Sequence, residues 1–290
     1  MAKHPQMKEA EASTKGGMPA PAALQENMPA VVSDPLDYGD DSGAGMDGVD
    51  REEMRVPFVR VLQPKSPQVD ASAGGIIIKG AMPGMLIHMA TEEIWPGDGS
   101  VKFVTCYREK DYVEWTPVNA GGGLVGRHAW NDSKINQLRA TQGRFGKLIT
   151  PEKTEISQTF YLYGLLIPPD KVERRVVIGF TSTQIKKYQS VIDRVDSLKF
   201  VVDGKTRQPP LYAWQWRIKT MAEKNKKGSW FGIRLEPAGE TSISSLLSRT
   251  DPVFHRARDF FELLKAGHVT ADLTQMGGKE RDMDDVPYEE

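Results

Sequence analysis

Between residues 56 and 235 the apolar residues of this chain come in short runs, some alternating and some continuous. Pro and Gly separate these runs before most of them reach the length of a helix. Runs of this kind, rich in Val, Ile, Phe, Tyr and Trp, predict strands. They cover residues 56–62, 75–78, 85–90, 101–108, 112–115, 159–167, 174–180, 212–221 and 230–235. The stretch 101–108 followed after a short polar interval by 111–115 reads as one hairpin. A second hairpin joins 212–221 to 230–235 through the basic loop 222–229. Two segments carry the other period. Ile185, Tyr188, Ile192 and Val195 recur at helical spacing after Ser182 or Thr183 as cap. Phe254, Ala257, Phe260, Phe261 and Leu264 share a face after Asp251 and Pro252, with Gly267 as terminator. The pattern predicts a mainly β chain, a closed or partly closed antiparallel barrel of the OB type with elaborations and two helices. The interval 118–157 is polar and weakly patterned, which marks a functional or disordered stretch.

The formal net charge of −1 conceals a segregation. Residues 1–50 hold three Lys against nine Asp and Glu, a net −6, and residues 279–290 hold two basic against six acidic residues, a net −4. The remaining 33 basic and 24 acidic residues put the middle at +9. The end segments lack sustained hydrophobic periodicity, so the expected organisation is a disordered acidic tail over 1–53, a core over 54–268 and a flexible acidic tail over 269–290. A basic core between acidic ends suits a polyanionic ligand. Cys106 is the only cysteine, which excludes an internal disulfide or a multi-cysteine zinc site. No secretory apolar run opens the chain, and the most apolar stretch, 160–167, is too short for a bilayer. The expectation is a cytoplasmic protein.

The enzyme signatures are weak. The glycines of 121–126 lack the Lys-Ser/Thr of a phosphate loop and read better as a turn. The histidines at 4, 88, 128, 255 and 268 form no metal-ligand pair, and no serine sits in a nucleophile elbow. Asp111 with Glu114, and Glu92 with Glu93, are explained by surface solvation more simply than by nuclease chemistry. No catalysis, metal or cofactor is therefore expected.

The positive signal is the interleaving of aromatic and cationic side chains. Single strands are held by rings on which bases stack and by Lys and Arg along the phosphates. Tyr107, Arg108, Lys110, Tyr112 and Trp115 cluster on the first hairpin. Arg127, Trp130, Arg139, Arg144, Phe145 and Lys147 populate the polar interval, where Trp130 and Phe145 have least reason to be core. Lys224, Lys226, Lys227 and Trp230 mark the second hairpin. Tyr212, Trp214, Trp216 and Ile218 alternate and share a face, either core or stacking platform, with core the better reading. Arg217 and Lys219 on the opposite face are then placed for phosphates.

Three stretches resemble a family of bacteriophage single-stranded DNA-binding proteins of the OB type: 56–67 (VPFVRVLQPKSP), Tyr112-Val-Glu-Trp115 with 121–126 (GGGLVG), and 180–187 (FTSTQIKK). The resemblance implies non-catalytic coating and protection of single strands during replication, recombination and repair. Separately, residues 282–288 are similar to the acidic tip of bacterial single-strand-binding proteins, which recruits partners. This implies a docking role for Asp282, Asp284, Asp285, Val286, Pro287 and Tyr288, although Glu289 and Glu290 follow the aromatic residue here. The alternative for the tip is an acidic tail that only confers solubility. For the whole chain the expected partners are single-stranded DNA, replication or recombination proteins and further copies of itself. The alternatives are a strand-annealing recombination protein and a phage structural or assembly protein.

Overall fold

The computed structural model describes residues 55–73, 76–143, 147–225 and 228–276. The chain divides into two compact units, 1–48 and 49–290, and every described residue lies in the second. The elements run β1 (Arg55–Val56), β2 (Val59–Val61), β3 (Leu86–His88), β4 (Ile94–Trp95), β5 (Asp98–Trp115), β6 (Leu124–Ala129), α1 (Ser133–Gln142), β7 (Leu148–Ile149), β8 (Glu155–Ile167) and β9 (Arg174–Thr181). There follow α2 (Ile185–Ser197), β10 (Phe200–Val202), β11 (Lys205–Arg207), β12 (Gln215–Asn225), β13 (Gly228–Pro237), α3 (Pro252–Lys265) and β14 (Thr270–Ala271). The fold is mainly β, as the run pattern requires.

One sheet of seven strands organises the body, in the order β13-β12-β5-β8-β7, with β6 paired to β5 and β9 to β8. β5 is long enough to serve two partners on one edge. Its first half pairs with β12 and its second half with β6. β5 and β8 are buried on both faces, which is why they read as near-continuous apolar runs. On one face Val101, Phe103, Leu162 and Leu166 join Trp214, Trp216 and Ile218 beneath α2, whose Tyr188, Val191 and Val195 close that core. On the other face Val104, Cys106, Tyr161, Tyr163 and Leu165 pack under Ala257, Phe260 and Leu264 of α3. A smaller core of Tyr112, Ile135, Leu148 and Ile156 lies under α1. At the crossing of β5 and β8, a β-bulge falls between Thr105 and Tyr107, and a Cβ on Gly164 would run into the Val104 carbonyl. Only glycine allows so close an approach there.

The structure corrects several expectations. The sheet does not close into a barrel. The gap between β9 and β13 is spanned by residues 57–63, where the Val177 N–H donates to the Pro57 carbonyl at 2.9 Å. The Gln63 amide then exchanges two hydrogen bonds with the Phe231 backbone, at 2.8 and 2.9 Å. Residues 101–108 and 111–115 are not a hairpin but one unbroken strand, because Glu109 and Lys110 remain in register with Tyr161 and Phe160. The hairpin partner of that strand is β6. Ile76–Ile78 form no strand, and Ile76 is 82% exposed in a loop. The 222–229 loop is mostly strand, since β12 runs to Asn225 and β13 starts at Gly228. Among the described residues there are three α-helices rather than two. α1 lies inside the polar interval, capped by the Asp132 carboxylate accepting from the Lys134 N–H at 2.7 Å. Ser182 and Thr183 do not cap α2 but form a short 3-10 turn ahead of it. α3 begins as expected, with Asp251 accepting from the Val253 N–H at 2.8 Å. The folded body continues past residue 268, where β14 pairs in parallel with β1.

Candidate nucleic-acid interface

The alternation of β5 after its bulge sends Arg108, Lys110, Tyr112 and Glu114 to one face and Tyr107, Glu109, Asp111 and Val113 to the other. The first face is covered by α2 at one end and α1 at the other. Between the two helices lies a shelf made by Arg108 and Lys110 of β5, Phe160 of β8 and Arg139 of α1. The Lys110 Nζ sits 5.9 Å from the Tyr112 ring centre and 5.5 Å from that of Phe160. The Arg139 guanidinium lies 5.9 Å from the same Tyr112 ring, on its α1 side. Phe160 is itself stacked on Tyr188 of α2 at 4.5 Å.

None of these three cations has a carboxylate partner among the described residues. Arg108 is exposed, and the buried Nε of Arg139 has no hydrogen-bond acceptor among the described residues. Burial, and then the nearby Arg139, pull the Lys110 ammonium below its usual range. Burial pushes the Tyr112 phenol up, against Arg139. The shelf therefore holds positive charge at a cost that an incoming anion would relieve. Trp130 stands one residue beyond Ala129, which pairs with Asp111 beside Lys110, and at 60% exposure it offers an open ring face.

The opposite face of β5 uses its charges internally. Arg127 of β6 contacts Glu109 at 2.6 Å and also Asp111, and it lies 5.7 Å from the Tyr161 ring. The Tyr163 hydroxyl donates to Glu109 at 2.7 Å. Burial holds the Asp111 carboxyl above its ordinary range, with Arg127 working the other way. Burial alone would lower Arg127, but Glu109 and Asp111 outweigh it and raise it. Under α1, Glu114 is gripped by His128 at 2.6 Å, Lys134 at 3.0 Å and the Thr154 hydroxyl. Burial pushes Glu114 up, yet those three hydrogen bonds prevail and keep it below the usual carboxylate value.

The structure thus sorts the sequence candidates. Arg108, Lys110, Tyr112 and Arg139 are brought together, with Trp130 at their margin. Tyr107 is not available, because it packs between Tyr163 and Phe261. Trp115 and Trp230 are buried, the latter donating its indole N–H to Glu223 at 3.1 Å. Arg127 is consumed by its carboxylates, and Lys147 pairs with Glu155 at 2.9 Å. Trp214, Trp216 and Ile218 are core, and Tyr212 precedes β12 in a 3-10 turn against Phe254 and Phe261. Arg217 lies on the outer face opposite Lys102, while Lys219 is drawn to Glu236 at 2.9 Å, both remote in the sheet order from α1. Lys224 is exposed on β12 opposite Ser229. Arg144, Phe145, Lys226, Lys227 and the tip residues Asp282, Asp284, Asp285, Val286, Pro287 and Tyr288 lie outside the described residues. Phe160 was missed by sequence reasoning because it opens a continuous apolar run. Its register opposite Lys110 is the signal that identifies it.

Among the described residues, no group of His, Cys, Asp and Glu is placed to hold a metal ion, and no helix is long and apolar enough to cross a membrane. A family model described as Pam3 phage gp34-like protein matches residues 24–270. No curated protein and no solved structure gives a match.

Proposed function

Given that the chain belongs to the Pam3 phage gp34-like protein family, a family of phage proteins, we propose that it is a non-catalytic single-stranded DNA-binding protein that coats strands exposed during phage replication and recombination. The observation that carries this reading is the shelf of Arg108, Lys110 and Arg139, three cations without carboxylate partners among the described residues, with Lys110 beside the rings of Tyr112 and Phe160 and Arg139 beside that of Tyr112. A phosphate supplies the missing counter-charge. Phe160 and Trp130 supply rings for bases, while Tyr112 is too deeply buried to stack on a base and serves to seat the cations. The strand is favoured over duplex because the rings take base faces, which a duplex keeps inside its own stack. The acidic tip is assigned to partner recruitment, and the host cytoplasm is the compartment in which this function operates.

The test is a titration of fluorescently labelled oligothymidine followed by anisotropy, in wild type and in R108A/K110A/R139A. Loss of three phosphate contacts makes the slope of log affinity against log salt shallower by about 2. The wild type should prefer the single strand to duplex of the same length. Absence of binding at low salt overturns the reading and leaves a phage structural or assembly role as its replacement. Accelerated pairing of complementary strands would move the protein to the annealing class.

A further inference from the structure

A second group of cations lies across α2 from the shelf, in a cleft of about 570 Å³ between that helix and the β12–β13 hairpin. Lys186, Lys187 and Arg194 line its helical wall and Arg234 its sheet wall, over a floor that includes Trp216 and Leu235. The helical wall follows from sequence spacing: residues 186, 190 and 194 succeed one another at intervals of four and so rise along one side of α2. Three carboxylates also reach the cleft, but two are already engaged. Glu223 contacts Lys187 and accepts from the Trp230 indole, and Glu236 takes Lys219 at 2.9 Å and Arg234 at 3.5 Å. Glu240 is exposed at the rim. Arg194 is exposed and has no carboxylate partner among the described residues.

Two further features point to an anion here. Burial and the neighbouring Arg234 pull Lys187 down to about 8, so the two cations crowd each other in a half-buried space. The Trp216 indole N–H is fully buried at the floor and has no acceptor among the described residues. Cationic walls above an apolar floor match a groove that tracks a single-strand backbone. They do not match a site for a compact metal-bound or purely apolar ligand.

We infer that this cleft holds a second stretch of single-stranded nucleic acid, continuing across α2 the strand that occupies the shelf. The inference rests on the reading of the shelf given above. Consecutive residues of α2 serve the two places: Tyr188 stacks on Phe160 at the shelf while Lys187 lines the cleft. A helix is about 10–12 Å across, so a strand that reaches both must be several nucleotides longer than one that fills the shelf alone. Short oligomers are therefore blind to the cleft, and long ones are not.

The experiment compares oligothymidines of about 4 and about 16 nucleotides, the span of single-domain strand sites, on wild type, K186A/R194A and R234A. Circular dichroism and thermal melting confirm that each variant is folded; the side chains changed lie on the helix surface or are half exposed. Both variants should bind the short oligomer as wild type does and the long one about tenfold more weakly. For K186A/R194A the salt slope on the long oligomer should be shallower by about 1.4. Wild-type affinity and slope for the long oligomer in both variants overturn the cleft as a strand site, while leaving the shelf standing. Failure of wild type to bind either oligomer overturns the shelf reading and the cleft with it.

Discussion

Arg127 is where sequence and structure disagree most usefully, and Arg127→Ala measures the difference. The side chain is 26% exposed and faces Asp111 at 10% and Glu109 at 35%. Truncating it leaves Asp111 nearly enclosed with no counter-ion, a defect that costs about 3–5 kcal/mol when both partners are fully buried. Glu109 keeps the Tyr163 hydroxyl and is solvated over about a third of its surface, so the lower end of that range applies, about 3 kcal/mol. For a folded body of this size each kcal/mol lowers Tm by about 2–4 °C, so the melt should move down by about 6–12 °C. The pH dependence has a definite sign. The Asp111 carboxyl is held above its usual value when folded, and loss of Arg127 raises it further. A raised folded carboxyl stabilises below its unfolded value, and that stability is lost as pH rises through the folded value, so the penalty should shrink as pH falls towards about 4. Asp111→Asn added to Arg127→Ala should recover part of the loss, giving a coupling measurable by urea denaturation. Because Arg127 lies on the face of β5 away from the shelf, oligothymidine affinity should be unchanged below the melt. A loss of stability under about 1 kcal/mol together with tenfold weaker strand binding would refute this account and make Arg127 a ligand contact.

Glu114→Gln should cost about 1–3 kcal/mol near neutrality by leaving Lys134, His128 and Thr154 with a neutral partner. Since the Glu114 carboxyl is held below its usual value, its contribution is present above that value and lost as pH falls through the folded one. The urea midpoint of wild type should therefore drop more steeply than that of the variant below about pH 4.5. Gly164→Ala forces a methyl against the Val104 carbonyl at the crossing of β5 and β8, and should destabilise by about 1–3 kcal/mol or prevent folding, read from melts and soluble yield. Trp130→Phe should remove most of the acrylamide-accessible tryptophan emission, because Trp95, Trp115, Trp214, Trp216 and Trp230 are buried, and with it the quench on adding oligothymidine. The Cys106 thiol, fully buried and pushed up by that burial, should react with a thiol reagent only at the rate of unfolding.

What was legible in the sequence followed the reach of each physical signal. Periodicity identified α3, because its apolar stripe and its Asp251-Pro252 start are local. The same logic missed α1, where Ile135 and Leu138 are the only large apolar residues and the helix is held by the Asp132 cap and by Tyr112 beneath it. It broke β5 in two at Glu109 and Lys110, since a charged pair reads as a turn until a second strand is known to lie alongside. In the fold Glu109 is satisfied by Arg127 and Tyr163, residues 18 and 54 positions away in the chain. The mixture of aromatic and cationic residues was legible as composition, but composition does not record which face of a strand a residue takes. After the bulge at Thr105, Tyr107 and Trp115 turn inward towards α3 while Arg108 and Lys110 turn to the shelf. Alternation alone predicts that Arg108 and Lys110 share a face with Tyr112. It does not predict that Asp111, one residue away, finds Arg127 on the other side, or that Glu114, which shares the shelf's face, is held under α1 by His128, Lys134 and Thr154, so that no carboxylate is left for the shelf cations. For Glu109 and Asp111 that separation is set by strand parity, so a change that inverts parity is the sharpest control on the proposed strand binding. Deleting one residue between Tyr107 and Lys110 would carry Glu109 or Asp111 onto the shelf. Strand binding should then be abolished even if the sheet survives, whereas a protein that binds strands by net charge alone would retain it.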